Sequence, residues 1–136
     1  MKLDDCIFCK IGSGEVNHWK VLERENSLAF LDVNPMTAYH TLVIPKDHYA
    51  DVFSAPADVL ADTMETLRQV CLLYERKLGI HNVQIFNNSG KNTMQSVFHL
   101  HFHIFPKTEQ DDRRLKFEFH PELVSQYADM LARLRD

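Results

Sequence analysis

From Phe98 to Ile104 the chain alternates apolar side chains with imidazoles, and this pattern restricts its fold more than any other feature. Successive side chains of a β-strand point to opposite faces. Phe98, Leu100, Phe102 and Ile104 therefore belong on one face, against a helix, and His99, His101 and His103 on the other, toward solvent. A slip of one residue would bury three imidazoles in the core, so the register is fixed. The strand pattern runs from Val97 to Phe105 and is the strongest in the sequence.

The remaining segments supply partners for such a strand. Trp19 to Glu23 and Ser27 to Leu31 are short strand-like runs, with Arg24-Glu25-Asn26 as the turn between them. His40 to Ile44 is a β-branched run that ends at Pro45, and Val83 to Phe86 is a further short strand followed by the polar loop Asn87 to Gln95. Between them Pro56 opens a helical pattern in which Leu60, Met64, Leu67, Cys71, Tyr74 and Leu78 recur every three or four residues until Gly79. Ile7, Phe8 and Ile11 suggest a short helical turn that stops at Gly12-Ser13-Gly14. After Pro121, Leu123, Tyr127, Leu131 and Leu134 mark a terminal amphipathic helix. About five hairpin-linked strands with segregated helices predict an α+β fold, a largely antiparallel sheet under one long helix.

The 136 residues show no repeat, no low-complexity tract and no linker, which predicts one domain over 1–136. Every apolar run falls short of the ~20 residues of a membrane span. The acidic start MKLDDCIFCK lacks an apolar signal region and predicts a cytoplasmic protein. A net charge of −4 without a basic segment argues against a nucleic-acid groove, while leaving room for a small phosphate site built from local donors.

Three cysteines make a disulfide framework improbable. Cys71 falls in an apolar periodic stretch and reads as core. Cys6 and Cys9 are spaced as half a structural zinc site, as a redox pair, or as two buried thiols. The strand–helix context of a redox motif is absent.

Next-but-one residues on a strand lie ~6.6 Å apart, and the outer two histidines ~13 Å apart. All three could share one ion only with severe distortion, so a division of labour is expected. Neutral imidazole is nucleophilic near neutral pH without a strong base, its ordinary pKa being ~6.5. One ring can attack phosphorus and form a phospho-histidine, while its neighbours manage charge and protons. Donors for the phosphoryl oxygens lie just upstream in Asn88, Gln95, Ser96 and the backbone around Gly90.

The run Gln95-Ser96-Val97-Phe98-His99-Leu100-His101-Phe102-His103-Ile104 resembles the histidine-triad (HIT) signature, His-φ-His-φ-His-φ-φ with φ apolar. Cys6-Ile7-Phe8-Cys9-Lys10-Ile11, Ala29-Phe30-Leu31-Asp32 and His40-Thr41-Leu42-Val43-Ile44-Pro45-Lys46 agree in order and spacing, so the likeness covers about residues 5 to 107. It is greatest to small bacterial proteins related to nucleoside phosphoramidases. The resemblance implies the HIT fold, with His101 as nucleophile and His103, Ser96, Gln95 and Asn88 at the α-phosphate or the leaving group. His40 would stand close behind the triad. Asp32 would hold the ribose hydroxyls, and Ile7, Phe8, Ile11, Phe30 and Val33 the purine base; read from the residues alone, these five are plain core, and for Ile11 and Val33 core and pocket weigh about evenly. The resemblance also completes the zinc set with His48 and His99, which gives structural Zn²⁺, no catalytic metal, and a homodimer joined at sheet edges. Two residues depart from the family pattern: Met94 and Tyr39 stand where glycine is usual.

The activity so implied is release of AMP or GMP from an amine, phosphate or other leaving group through a nucleotidyl-histidine. Cleavage of dinucleoside polyphosphates is a close alternative, and a non-catalytic nucleotide- or partner-binding module a more distant one. A cupin-like His-x-His metalloenzyme would need glycine-rich turns, and the chain has four glycines.

Overall fold

A computed structural model describes residues 1–111 and 116–135. The chain enters through a short helix α1 (Ile7–Ser13), for which Cys6 serves as N-cap, its sulfur accepting the Cys9 N–H at 3.4 Å. Gly14, in the left-handed region at φ 85°, ends it. Strands β1 (Lys20–Glu23) and β2 (Ser27–Leu31) form the expected hairpin, and β3 (Thr41–Pro45) pairs with β2 in continuous register from Ser27↔Pro45 to Leu31↔Thr41. The long helix α2 (Ala57–Leu78) runs from Pro56 to Gly79, as the sequence predicts. Strands β4 (Val83–Phe86) and β5 (Phe102–Pro106) complete an antiparallel sheet in the order β1-β2-β3-β5-β4. A 3₁₀ segment, Pro121–Gln126, leads into α3 (Tyr127–Leu134). The α+β expectation of five strands, a covering helix and a C-terminal helix holds.

Both faces of the sheet are covered. Ala29, Val43, Phe102 and Ile104 point to α2 and pack with Leu67, Val70 and Tyr74. Leu28, Phe30, Leu42 and Ile44 point the other way, onto Phe8 and Ile11 of α1. Burial on both sides explains why β2 and β3 lack the polar alternation of a one-sided sheet. Each fully buried aliphatic side chain contributes roughly 1.5–3 kcal/mol.

Three details differ from expectation. The triad segment is not one strand: β5 begins only at Phe102, because the backbone before it is drawn off the ladder, with the Leu100 N–H donating to Tyr49 O at 2.6 Å. Phe98 accordingly does not reach α2 and is 51% exposed. The buried face of α2 is also rotated: Met64 and Leu78 are exposed, while Thr63 and Thr66 are fully buried. Their hydroxyls are satisfied: Thr63 donates to Val59 O at 2.8 Å, and Thr66 shares a 2.6 Å hydrogen bond with Ser27 on β2. Finally, the apolar residues of the C-terminal 3₁₀ segment and α3 remain exposed: Leu123 in the former, and Tyr127, Leu131 and Leu134 in the latter. Part of the connection from Lys107 to Pro121 lies outside the described residues.

Candidate active site and metal cluster

Register places the site. His103 lies opposite Leu42 on one side and Phe86 on the other, and Leu42 lies opposite Phe30. Directly paired residues share a face, so His103 emerges beside the apolar floor that α1 covers. His40, two residues before Leu42, is on that face too. The row of imidazoles is not open to solvent, contrary to expectation: His99 is 0% and His101 5% exposed, and His103 is partly buried. The surroundings are aromatic and polar rather than aliphatic. Phe8 meets His101 edge-on at 5.1 Å between ring centres, His101 meets His103 at 5.0 Å, and Phe105 stacks on His103 at 5.7 Å.

Fixed donors and acceptors set the tautomer of each ring. A carbonyl oxygen only accepts, so the 2.7 Å contact between His101 Nδ1 and His99 O puts the proton on Nδ1. The Nε2 of neutral His101 is left with a free lone pair. A backbone N–H only donates, so the Met36 N–H at 3.1 Å makes His40 Nδ1 an acceptor and places the His40 proton on Nε2. That Nε2–H donates to His103 Nδ1 at 2.9 Å and lies 3.5 Å from Asp32 Oδ2. Neutral His103 therefore carries its own proton on Nε2. Burial, reinforced by the neighbouring imidazoles, holds the His103 pKa down to about 4. Burial also lowers His101 and His40, and the charge of Asp32 partly opposes it in both. The resting constellation is one nucleophilic nitrogen beside one neutral N–H donor.

Asp32, His40 and His103 come close enough to share an ion. Their protons argue otherwise, because His40 has no lone pair to offer at Nε2 while Met36 holds Nδ1.

The second cluster is different. Cys6, Cys9, His48 and His99 bring their ligand atoms together, with His99 Nδ1 at 3.4 Å from Cys6 Sγ and 3.5 Å from Cys9 Sγ, and His48 Nδ1 at 3.5 Å from Cys9 Sγ. Tetrahedral zinc with bonds of about 2.3 Å to sulfur and 2.0–2.1 Å to nitrogen implies a sulfur–nitrogen edge of about 3.5 Å. The donor chemistry agrees as well. His99 Nε2 donates to Pro45 O at 2.7 Å, which leaves the Nδ1 lone pair facing the sulfurs. Backbone N–H groups of Leu3 and Cys9 donate to the two thiols. Burial pushes the Cys9 thiol up, so it is protonated until a cation displaces the proton.

The residues expected around a nucleotide divide into three groups. Phe8, Ile11 and Phe30 are buried and form the floor, whereas Ile7 is 43% and Val33 86% exposed, so neither of these two is core. Asp32 is partly buried, and its Oδ1 accepts the Asn34 N–H at 2.8 Å. Ser96 is exposed and Asn88 partly buried; neither side chain makes a hydrogen bond among the described residues, so both can turn to a ligand. Gln95 is already committed. Its amide donates to Ala50 O at 2.7 Å and Val97 O at 3.1 Å and accepts the Gly90 N–H at 2.7 Å, so it ties the loop together from within.

Sequence reasoning missed Asn87, whose Nδ2 donates to His101 O at 2.9 Å and fixes the backbone of that residue. Nothing in the pair Asn87-Asn88 distinguishes which amide turns inward. It also passed over His18, whose ring meets Phe30 edge-on at 5.8 Å.

Comparison with known proteins agrees with this geometry. The model of the HIT domain matches residues 13–110. An uncharacterized HIT-like protein of Methanocaldococcus jannaschii is 43% identical over 112 residues, 82% of this chain and 86% of that protein. Adenosine 5′-monophosphoramidase HNT1 of Saccharomyces cerevisiae is 40% identical over 105 residues, 77% of this chain and 64% of the yeast protein. The crystal structure of a zinc-bound histidine triad family protein from Mycobacterium smegmatis superposes with a TM-score of 0.75 at 31% identity, covering 96% of this chain and 98% of that one.

Proposed function

The chain belongs to the HIT domain family and stands among its enzymes, and from that premise we propose that it releases a purine nucleoside monophosphate, AMP or GMP, from an amine, phosphate or other leaving group through a nucleotidyl-His101 intermediate. The observation that carries this reading is the His101 tautomer: Nδ1–H is held by His99 O, and Nε2 is unprotonated beside the His103 donor. Phosphoramidase activity in the yeast relative supports an amine as one leaving group.

In the first step the Nε2 lone pair attacks phosphorus and the phosphorus–nitrogen bond breaks. The departing nitrogen keeps the bonding pair and takes a proton from solvent by way of the Ser96 hydroxyl. Charge on the non-bridging oxygens is met by His103 Nε2–H and Asn88. His103 acts here as a neutral donor rather than an acid, since its Nδ1 already accepts from His40. The positive charge gained by the His101 ring faces the His99 carbonyl. Water then attacks phosphorus and loses a proton, and the nucleotide leaves with the Nε2 lone pair restored. Asp32 receives the ribose hydroxyls, and the base lies over Phe8, Ile11 and Phe30 between Ile7 and Val33.

Cys6, Cys9, His48 and His99 would hold zinc, and a set of four protein ligands would give it a structural contribution. No metal takes part in the chemistry. Two copies pair along a sheet edge, where β1 and β4 are the outer strands. Among the described residues no helix is long and apolar enough to cross a membrane.

Adenosine 5′-phosphoramidate labelled in the nucleoside, mixed with the protein and quenched in base, tests the intermediate. An acid-labile adduct is expected on wild type and on neither His101→Ala nor His101→Gly. Turnover by His101→Ala within tenfold of wild type would end the proposal.

A further inference from the structure

Among the described residues, His18 Nε2 is the one buried side-chain nitrogen or oxygen without a hydrogen-bond partner. Buried polar atoms are nearly always satisfied, so an orphan calls for an account. The other ring nitrogen is engaged, Nδ1 lying 3.3 Å from Val16 O. A carbonyl only accepts, so Nδ1 bears the hydrogen, and the orphaned Nε2 of the neutral ring is an acceptor.

Its position is informative. From the nucleophile a series of edge-on rings leads away across the floor of the site: His101 to Phe8 at 5.1 Å, Phe8 to Phe30 at 5.6 Å, and Phe30 to His18 at 5.8 Å. Asp32 follows Phe30 by two residues and so shares its face. For a nucleotide placed as proposed above, with phosphorus at His101, ribose at Asp32 and base over Phe8 and Phe30, His18 is the next ring beyond Phe30. The residues on either side, Asn17 and Trp19, are exposed and belong to neither helix nor strand, and the Trp19 carbonyl is tied to β2 by the Leu31 N–H at 2.8 Å, so presenting Nε2 to a base falls to rotation of the His18 ring.

Building on the nucleotide reading above, we propose that His18 determines base specificity, its Nε2 accepting a hydrogen bond from a donor on the Watson–Crick edge of the purine. Adenine offers its exocyclic amine, guanine its N1–H and N2 amine. A base without a donor on that edge leaves Nε2 unpaired, and sites built around a hydrogen bond reject such analogues.

The test compares adenosine 5′-phosphoramidate with the purine riboside counterpart, which lacks the amine, on wild type, His18→Phe and His18→Gln. Wild type is expected to favour adenosine by about tenfold or more in kcat/KM. His18→Phe keeps a ring but no acceptor and should bring the ratio near one, while His18→Gln, with an acceptor oxygen, should recover part of it. Calorimetric binding of AMP and purine riboside 5′-monophosphate makes the same comparison without chemistry. Discrimination in binding without turnover would refute the enzymatic proposal and support the role of His18. A wild-type ratio near one in both assays, or a ratio unchanged in His18→Phe, would overturn that role.

Discussion

The main-chain carbonyl of His99 accepts the Nδ1–H of His101 at 2.7 Å, while the ring of the same His99 lies 3.4 and 3.5 Å from the sulfurs of Cys6 and Cys9. One residue thus joins the Cys/His cluster to the proposed nucleophile through its two ends. The ring is held by the cluster and by Pro45 O, and the carbonyl dictates which nitrogen of His101 is free.

Removing the metal is expected to loosen the fold more than to abolish the reaction. The purified protein should hold one zinc per chain by elemental analysis, and Cys9→Ser should hold little. Chelation should lower the thermal midpoint by several degrees, a loss on the order of 2 kcal/mol or more. Retention of zinc by Cys9→Ser at the wild-type ratio would remove that cysteine from the ligand set.

The tautomers can be checked directly. Long-range proton–nitrogen correlation spectra at neutral pH should show His101 protonated at Nδ1, and His40 and His103 at Nε2. His40→Ala deprives His103 Nδ1 of its donor, so kcat should fall about ten- to a hundredfold, as for one lost hydrogen bond in a buried site. His40→Gln keeps an N–H donor and should recover part of the loss. Equal damage from both variants would mean that His40 is needed for packing alone.

Acid should weaken the fold through His103. Its pKa in the folded chain is about 4, against an ordinary value of ~6.5, because burial and the imidazoles of His101 and His40 disfavour its charge more than Asp32 favours it. Between those values the unfolded chain binds more protons, so the stability this ring contributes is present above about pH 6.5 and disappears as pH falls to about 4. The unfolding free energy from urea titrations should drop across that window by an amount on the order of 1–2 kcal/mol, and His103→Gln should flatten the slope.

Met94 and Tyr39 sit at φ 68° and 62° and are the two non-glycine residues with positive φ among those described. They are also the two positions at which the resemblance to the HIT pattern leads one to expect glycine. A side chain in the left-handed region costs roughly 1–2 kcal/mol, part of which glycine returns as entropy of the unfolded chain. Met94→Gly should therefore raise stability by up to about 1 kcal/mol in denaturant titrations. A lower stability would show that the exposed Met94 side chain holds contacts worth more than the strain.

Much of this architecture is legible in the sequence. Pro56 and Gly79 bound α2, the β1–β2 hairpin turns where its polar triplet stands, and the triad pattern points to the family to which the chain belongs. Periodicity failed where backbone groups found unusual partners. Leu100 N–H goes to Tyr49 O, so the alternation of Phe98 to His101 continues without a strand beneath it. It failed again on α2, because Thr63 and Thr66 are buried through hydroxyl contacts that a hydropathy pattern does not register. The roles of Asn87 and His18 depend on which way a side chain turns, and spacing carries no information on that.

Gln95 ties Gly90, Ala50 and Val97 into one unit with a single amide. A loop fastened in this way has little freedom left to surrender, so in the proposed reaction most of the attraction between loop and phosphate would remain as affinity. Encounter and productive docking then become nearly the same event, and discrimination among substrates falls to the parts of the molecule beyond the phosphorus.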